Sequence, residues 1–130
     1  RLSWENRGHF LAVYTKVMRN ILIDMARSKL ALKRGGDRVK VTLDEHHNKV
    51  EAQADELLAI DQALEKLAAL DERLARIVEC RFFAGLSEVE TALALGISDR
   101  TVRRDWIKAR TILHGLLEET RLDPEPGPRN

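Results

Sequence analysis

Residues 86–110 read LSEVETALALGISDRTVRRDWIKAR, and no other segment restricts the fold as tightly. Ser87 stands three residues before Glu90, the spacing of a capping box in which each side chain bonds the other's backbone N–H. A short helix is expected from there to Gly96, a residue that enters positive φ without steric cost. Ala92, four residues before that glycine, is small enough for another helix to cross closely. Ser98 is a second N-cap candidate. After it, Val102, Trp106, Ala109, Leu113 and Leu116 recur at steps of 4, 3, 4 and 3, one apolar stripe on a second helix. Arg100, Arg103, Arg104, Lys108 and Arg110 fall off that stripe and are left to solvent or to a ligand.

Two capped helices joined through one glycine, with basic residues on one side of the second, follow the logic of a helix-turn-helix. The first helix braces the second, whose N-terminal turns enter a major groove. The pattern is fairly specific for DNA binding and does not say which kind of DNA-binding protein carries it. Ser87 has two readings, a plain cap or a helix start whose N–H groups face a phosphate, and the two are compatible.

The rest of the 130-residue chain divides by composition. Aromatics make up only 5% of it, and Ala and Leu dominate its apolar content, which favours an all-α fold. Over residues 8–34, Phe10, Val13, Tyr14, Val17, Ile21 and Met25 form an apolar stripe on a long helix stopped by Gly35-Gly36. Phe10 is expected in its core. The other faces carry Lys16, Arg19, Arg27, Lys29, Lys33 and Arg34 against Asp24, which should pair with a neighbouring arginine. Residues 37–56 alternate briefly at Val39, Val41 and Leu43, then turn acidic through Asp44, Glu45, Glu51, Asp55 and Glu56. That segment reads as a flexible, solvated linker. Helical spacing returns with Leu57, Ile60, Leu64, Leu67 and Leu70, and Asp71 starts a further helix through Phe83. The tail, residues 119–130, holds three prolines and is expected to be disordered.

Several classes fall away. Net charge is only +1, so the arrangement of charge matters more than its sum. His9, His46, His47 and Cys80 are the soft ligands, and none has metal-site spacing. Cys80 lies among Ile77, Val78 and Phe83, where a buried thiol is expected rather than a nucleophile. Gly35-Gly36 follows a helix and lacks the rest of a phosphate-loop motif. No enzyme, cofactor or metal is therefore expected. A lone cysteine fits a reducing compartment, and no apolar run reaches the roughly 18 residues of a membrane span, so a cytoplasmic location and no membrane contact are expected.

The stretch GLSEVETALALGISDRTVRRDWIKAR resembles region 4 of extracytoplasmic-function (ECF) sigma factors of bacterial RNA polymerase. The residues that carry the likeness are Gly85, Leu86, Ser87, Glu90, Thr91, Ala92, Leu95, Gly96, Ile97, Ser98, Arg100, Thr101, Val102, Arg104, Asp105 and Trp106. The segment WENRGHF…MRNILIDMAR…KRGG is similar to the end of region 2 in the same family, through Trp4, Asn6, Arg7, His9, Phe10, Met18, Arg19, Asp24, Ala26, Arg27 and residues 33–36. Two matches in the right order cover most of residues 4–117. The resemblance implies residues 1–36 as the end of region 2, 37–56 as an acidic linker, 57–118 as a four-helix region 4 and 119–130 as a tail.

It further implies a specificity subunit that recognises promoter DNA for core RNA polymerase. Ser98, Arg100, Thr101, Arg103 and Arg104 would meet the upstream, minus-35 element as duplex, with Lys108, Arg110 and the Ser87 cap on phosphates. Trp4, Asn6, Arg7, Arg19, Asn20, Arg27, Lys29, Lys33 and Arg34 would handle the downstream, minus-10 element, where Trp4 is open to either base stacking or packing. Acids at 44–56 would lie in the polymerase's basic channels. Region 4 would also meet the polymerase flap and, in some members, an anti-sigma factor. The family's earlier region 2 helices, which grip the polymerase clamp, are not among these residues, so the chain is expected to be a fragment in which that contact is lost. A free-standing helix-turn-helix regulator is the alternative. It would dimerise on paired half-sites and would have no use for the basic helix at 18–27.

Overall fold

The computed structural model describes residues 4–35 and 45–122, and among them every regular element is helical. Helix α1 spans Trp4–Gly35, α2 Glu45–Leu70, α3 Glu72–Val78, α4 Glu88–Leu95 and α5 Asp99–Leu122. A π-helical turn, Glu79–Phe83, extends α3 before the break at Gly85 (φ 68°).

The core forms where α2, α3 and α5 meet. Ile60, Leu64 and Leu67 of α2 close on Leu74, Ala75 and Val78 of α3, on Phe83 and on Ala109 of α5. Ile23 of α1 joins the same cluster. A second cluster, Ile77 with Ala92 and Val102, fixes α4 and α5 against α3. Asp71 caps α3 by accepting from the Leu74 N–H at 3.3 Å, the helix start its sequence position suggests.

The structure departs from the sequence expectation in α1. The stripe Phe10, Val13, Tyr14, Val17, Ile21 and Met25 faces outward, and Phe10 is 60% exposed rather than in the core. The buried face is the interleaved one: Gly8, Thr15, Ile23 and Ala26, flanked by half-buried Leu11, Ala12, Arg19 and Leu22. A helix apolar on two faces has a spacing that fits either as the inner one. Here the face with smaller residues won, because glycine, alanine and threonine let a neighbour approach where Phe10 and Tyr14 would hold it off. Phe10 and Tyr14 stack on one another outside, ring centroids 6.2 Å apart.

A second departure concerns the linker. Helix α2 begins at Glu45, so residues 45–56 are helical rather than a flexible connector. Val50, half-buried, and Ala54, buried, continue the inner stripe of Leu57 and Ile60 backwards by helical steps. Acidic residues between them mask it in the sequence. Glu45 is the first residue of α2, where negative charge complements the macrodipole. Helix α5 likewise runs on to Leu122, past the expected start of the tail. The alternation at 39–43, the rest of the linker and the tail from 123 lie outside the described residues.

Candidate nucleic-acid interface

Both predicted caps are in place. The Ser87 N–H donates to Glu90 Oε1 at 2.8 Å while the Glu90 N–H donates to Ser87 Oγ at 3.0 Å, a complete capping box. Gly96 ends α4 at φ 71°, with its N–H on the Ala92 carbonyl at 2.8 Å. At the start of α5, Ser98 Oγ accepts from the Thr101 N–H at 3.1 Å and lies 3.0 Å from Thr101 Oγ1. Thr101 is half-buried by this arrangement.

Val102 and Ala109 of α5 are fully buried, and Trp106, Leu113 and Leu116 are half-buried behind them. On the other side Arg100, Arg103, Arg104, Lys108 and Arg110 are all exposed. Arg103 reaches back to Glu88 of α4 at 3.3 Å, a solvent-facing pair. Arg104 meets Asp105 at 3.3 Å, and Arg110 lies over the Trp106 ring at 5.4 Å. Arg81 covers the same ring at 5.2 Å and donates to the Leu86 carbonyl at 2.9 Å, tying the turn before α4 to α5. Asp105, buried at 4% exposure, ties α5 to α3 through Arg73 at 2.7 Å. Helix α5 is thus tied to α3 and to the turn before α4 at the level of Asp105 and Trp106.

Ser87 is exposed and engaged as a cap. The first turn of α4 also holds the Glu88 and Glu90 carboxylates, which already complement the helix N-terminus that a phosphate would seek.

The candidate residues on α1 do not form one face. Asn6, Arg7, Asn20, Arg27 and Lys29 are exposed, with Arg27 placed 3.9 Å from Asp24. Trp4, Lys33 and Arg34 belong to the helix, but their side chains lie outside the described residues. Arg19 turns inward. Its guanidinium meets Asp61 at 2.7 Å, Glu79 at 2.9 Å and Glu65 at 3.6 Å. Burial pulls the Arg19 pKa down, but hydrogen bonds to Glu79 and Asp61 outweigh it, and the net shift is upward. Glu79 and Asp61 escaped the sequence reading. The signal was a glutamate inside the apolar run IVECRFF, a position that demands a buried partner.

Cys80 is buried, with the Thr15 hydroxyl 3.8 Å from its sulfur. Burial pushes its thiol pKa up, partly offset by that hydroxyl. No group of His, Cys, Asp and Glu suited to a metal ion occurs among the described residues.

Among the described residues every regular element is helical, and the last two helices form a capped helix-turn-helix whose second helix exposes arginines, an arrangement suited to DNA binding. The ECF sigma factor family model matches residues 2–119, and the chain belongs to that family. It is a sigma factor, whose role is promoter recognition with RNA polymerase. That family is not an enzyme class. No curated protein and no solved structure matches the chain. No helix among the described residues is long and apolar enough to cross a membrane.

Proposed function

We propose that α5 reads the upstream promoter element as duplex and that α1 handles the downstream element. Residues 57–118 then act as region 4, and residues 1–36 as the end of region 2. The observation that carries this reading is the division of α5 into a buried apolar face and an exposed face of five basic residues, starting at a capped N-terminus. Arg100, Arg103 and Arg104 occupy its first turns, where a bidentate arginine–guanine pair contributes roughly 1–3 kcal/mol of discrimination. Thr101 and Ser98 sit beside them. Lys108 and Arg110 lie further along and hold phosphates, which position without specifying.

The Arg103–Glu88 pair does not oppose this role. Exposed ion pairs contribute about 0–1 kcal/mol, so a base edge displaces Glu88 at little cost. Ser87 contributes chiefly by keeping α4 in place under α5.

On α1, Asn6, Arg7, Asn20, Arg27 and Lys29, with Trp4, Lys33 and Arg34, are assigned to the downstream element. Arg19 joins them only when released from Asp61 and Glu79. The polymerase flap and, where one exists, an anti-sigma factor meet the region 4 unit. Chemistry stays with the polymerase, and this chain supplies recognition alone.

Equilibrium binding to a randomised pool of duplex DNA tests the assignment. Arg103→Ala should relax sequence preference at one or two positions, at roughly 1–3 kcal/mol each. Lys108→Ala should weaken all sequences alike and lower the salt slope by about one. Equal effects of both variants on every sequence would remove α5 as the reading element.

A further inference from the structure

The inner face of α5 holds one residue whose chemistry does not match the rest. Asp105 lies three residues after Val102 and four before Ala109, an inward position by helical spacing, and it is buried as they are. Taking a carboxylate out of water is expensive, and an apolar side chain of similar size fills such a position at lower cost. Packing of α5 against α3 therefore does not account for an acid here.

Its two oxygens meet different arginines. Oδ2 lies 2.7 Å from the Arg73 guanidinium of α3 but makes no hydrogen bond, so charge alone holds it there. Oδ1 accepts from Arg104 Nε at 3.3 Å. Adjacent residues on a helix do not face each other, so Arg104 must fold back to reach the acid. With Nε engaged, both Nη groups stay outside the pair, on a side chain that is mostly exposed. Two N–H groups side by side are what O6 and N7 of guanine accept in the major groove.

Arg103 is held differently. Its partner Glu88 belongs to α4 and has a side chain 33% exposed, whereas the Asp105 side chain is 6% exposed and pinned from behind by α3. A long side chain gives up rotamer freedom on binding. One that is already fixed at Nε gives up less, and it favours the one base that fits its orientation.

We propose that Asp105 is a specificity-determining positioning residue: anchored by Arg73, it presents the free end of Arg104 to a single guanine. This role rests on the reading of duplex DNA by α5 proposed above, and it adds the base, the arginine and the support. Asp105 touches no base and acts through Arg104. Arg73, on another helix, acts one step further back.

Binding of the chain to a randomised duplex pool, scored base pair by base pair, tests this. Arg104→Ala identifies the pair that Arg104 reads, where the unaltered chain should prefer guanine about tenfold or more. Asp105→Leu suits the inward position, so circular dichroism and melting temperature should be retained while guanine preference falls at that pair alone. Arg73→Met, outside the assigned DNA contacts, should blur the same pair. Asp105→Asn keeps an acceptor for Arg104 and should restore part of the preference. Added to Arg104→Ala, Asp105→Leu should change nothing further there, because the two residues act as a unit. In the free chain, nitrogen NMR relaxation should show the Arg104 Nε–H becoming more mobile in Asp105→Leu.

Unchanged guanine preference in folded Asp105→Leu overturns the proposal. So does a loss spread evenly over all sequences, which is what a purely structural role would give, or an Nε–H equally mobile with and without Asp105. No sequence preference in the unaltered chain would instead overturn the reading of DNA by α5, while the Nε–H signal still decides whether Asp105 holds Arg104.

Discussion

Single side chains in the helix-turn-helix have separable duties. Ser98 holds the first turn of α5 through the Thr101 N–H, so Ser98→Ala should lower stability by about 1 kcal/mol in a denaturant titration. Glu88 pairs with Arg103, and if Arg103 meets DNA as proposed, Glu88→Gln should tighten binding to all duplexes a few-fold without changing the preferred sequence. A shifted preference would mean that Glu88 itself faces a base. Cys80 reports on the core. Its folded thiol pKa lies above the unfolded value near 9.0, so thiolate is disfavoured in the native state. Stability from this group is present below pH 9 and falls as pH rises above it, because the unfolded chain then releases the proton first. Labelling by a thiol reagent near neutral pH should accordingly wait for unfolding. These residues were readable in sequence to different degrees. Both serine caps follow from local spacing alone, since their partners lie three residues away. Asp61, Glu79 and Gly8 act across 42, 60 and 85 residues, and no local pattern encodes such partners.

Among the elements, α1 is where pattern and packing part. Its spacing correctly announces a long amphipathic helix, and the stop at Gly35 is where the paired glycines place it. The choice of inner face is a tertiary matter. Ile23→Ala should lose about 2–4 kcal/mol, as buried truncations do, while Val17→Ser or Ile21→Ser should change stability by no more than about 0.5 kcal/mol. The reverse ranking, measured by urea unfolding, would turn the helix over. The outward stripe leaves Phe10, Val13, Val17, Ile21 and Met25 exposed. Helix α2 fails differently. Its first three turns look like linker because charge outweighs hydrophobicity, yet Val50 and Ala54 keep the register of the inner stripe. Glu51, Asp55 and Glu56 are therefore carried on a helix rather than on a flexible connector.

At the scale of the whole molecule, the family was visible in sequence, but the docking of α1 was not. Two units separated by an acidic stretch suggested independent bodies. Instead α1 shares a core with α2, α3 and α5 through Ile23, and an ion cluster through Arg19. The central claim is that this chain chooses promoters, and transcription in vitro tests it most directly. Core polymerase freed of other sigma factors, genomic DNA and the protein should yield new RNA 5′ ends. Those starts should share two upstream motifs about 25 base pairs apart, and Arg103→Ala should blur only the farther one. An unchanged set of starts, together with salt-sensitive binding to palindromic DNA as a dimer, would contradict the account.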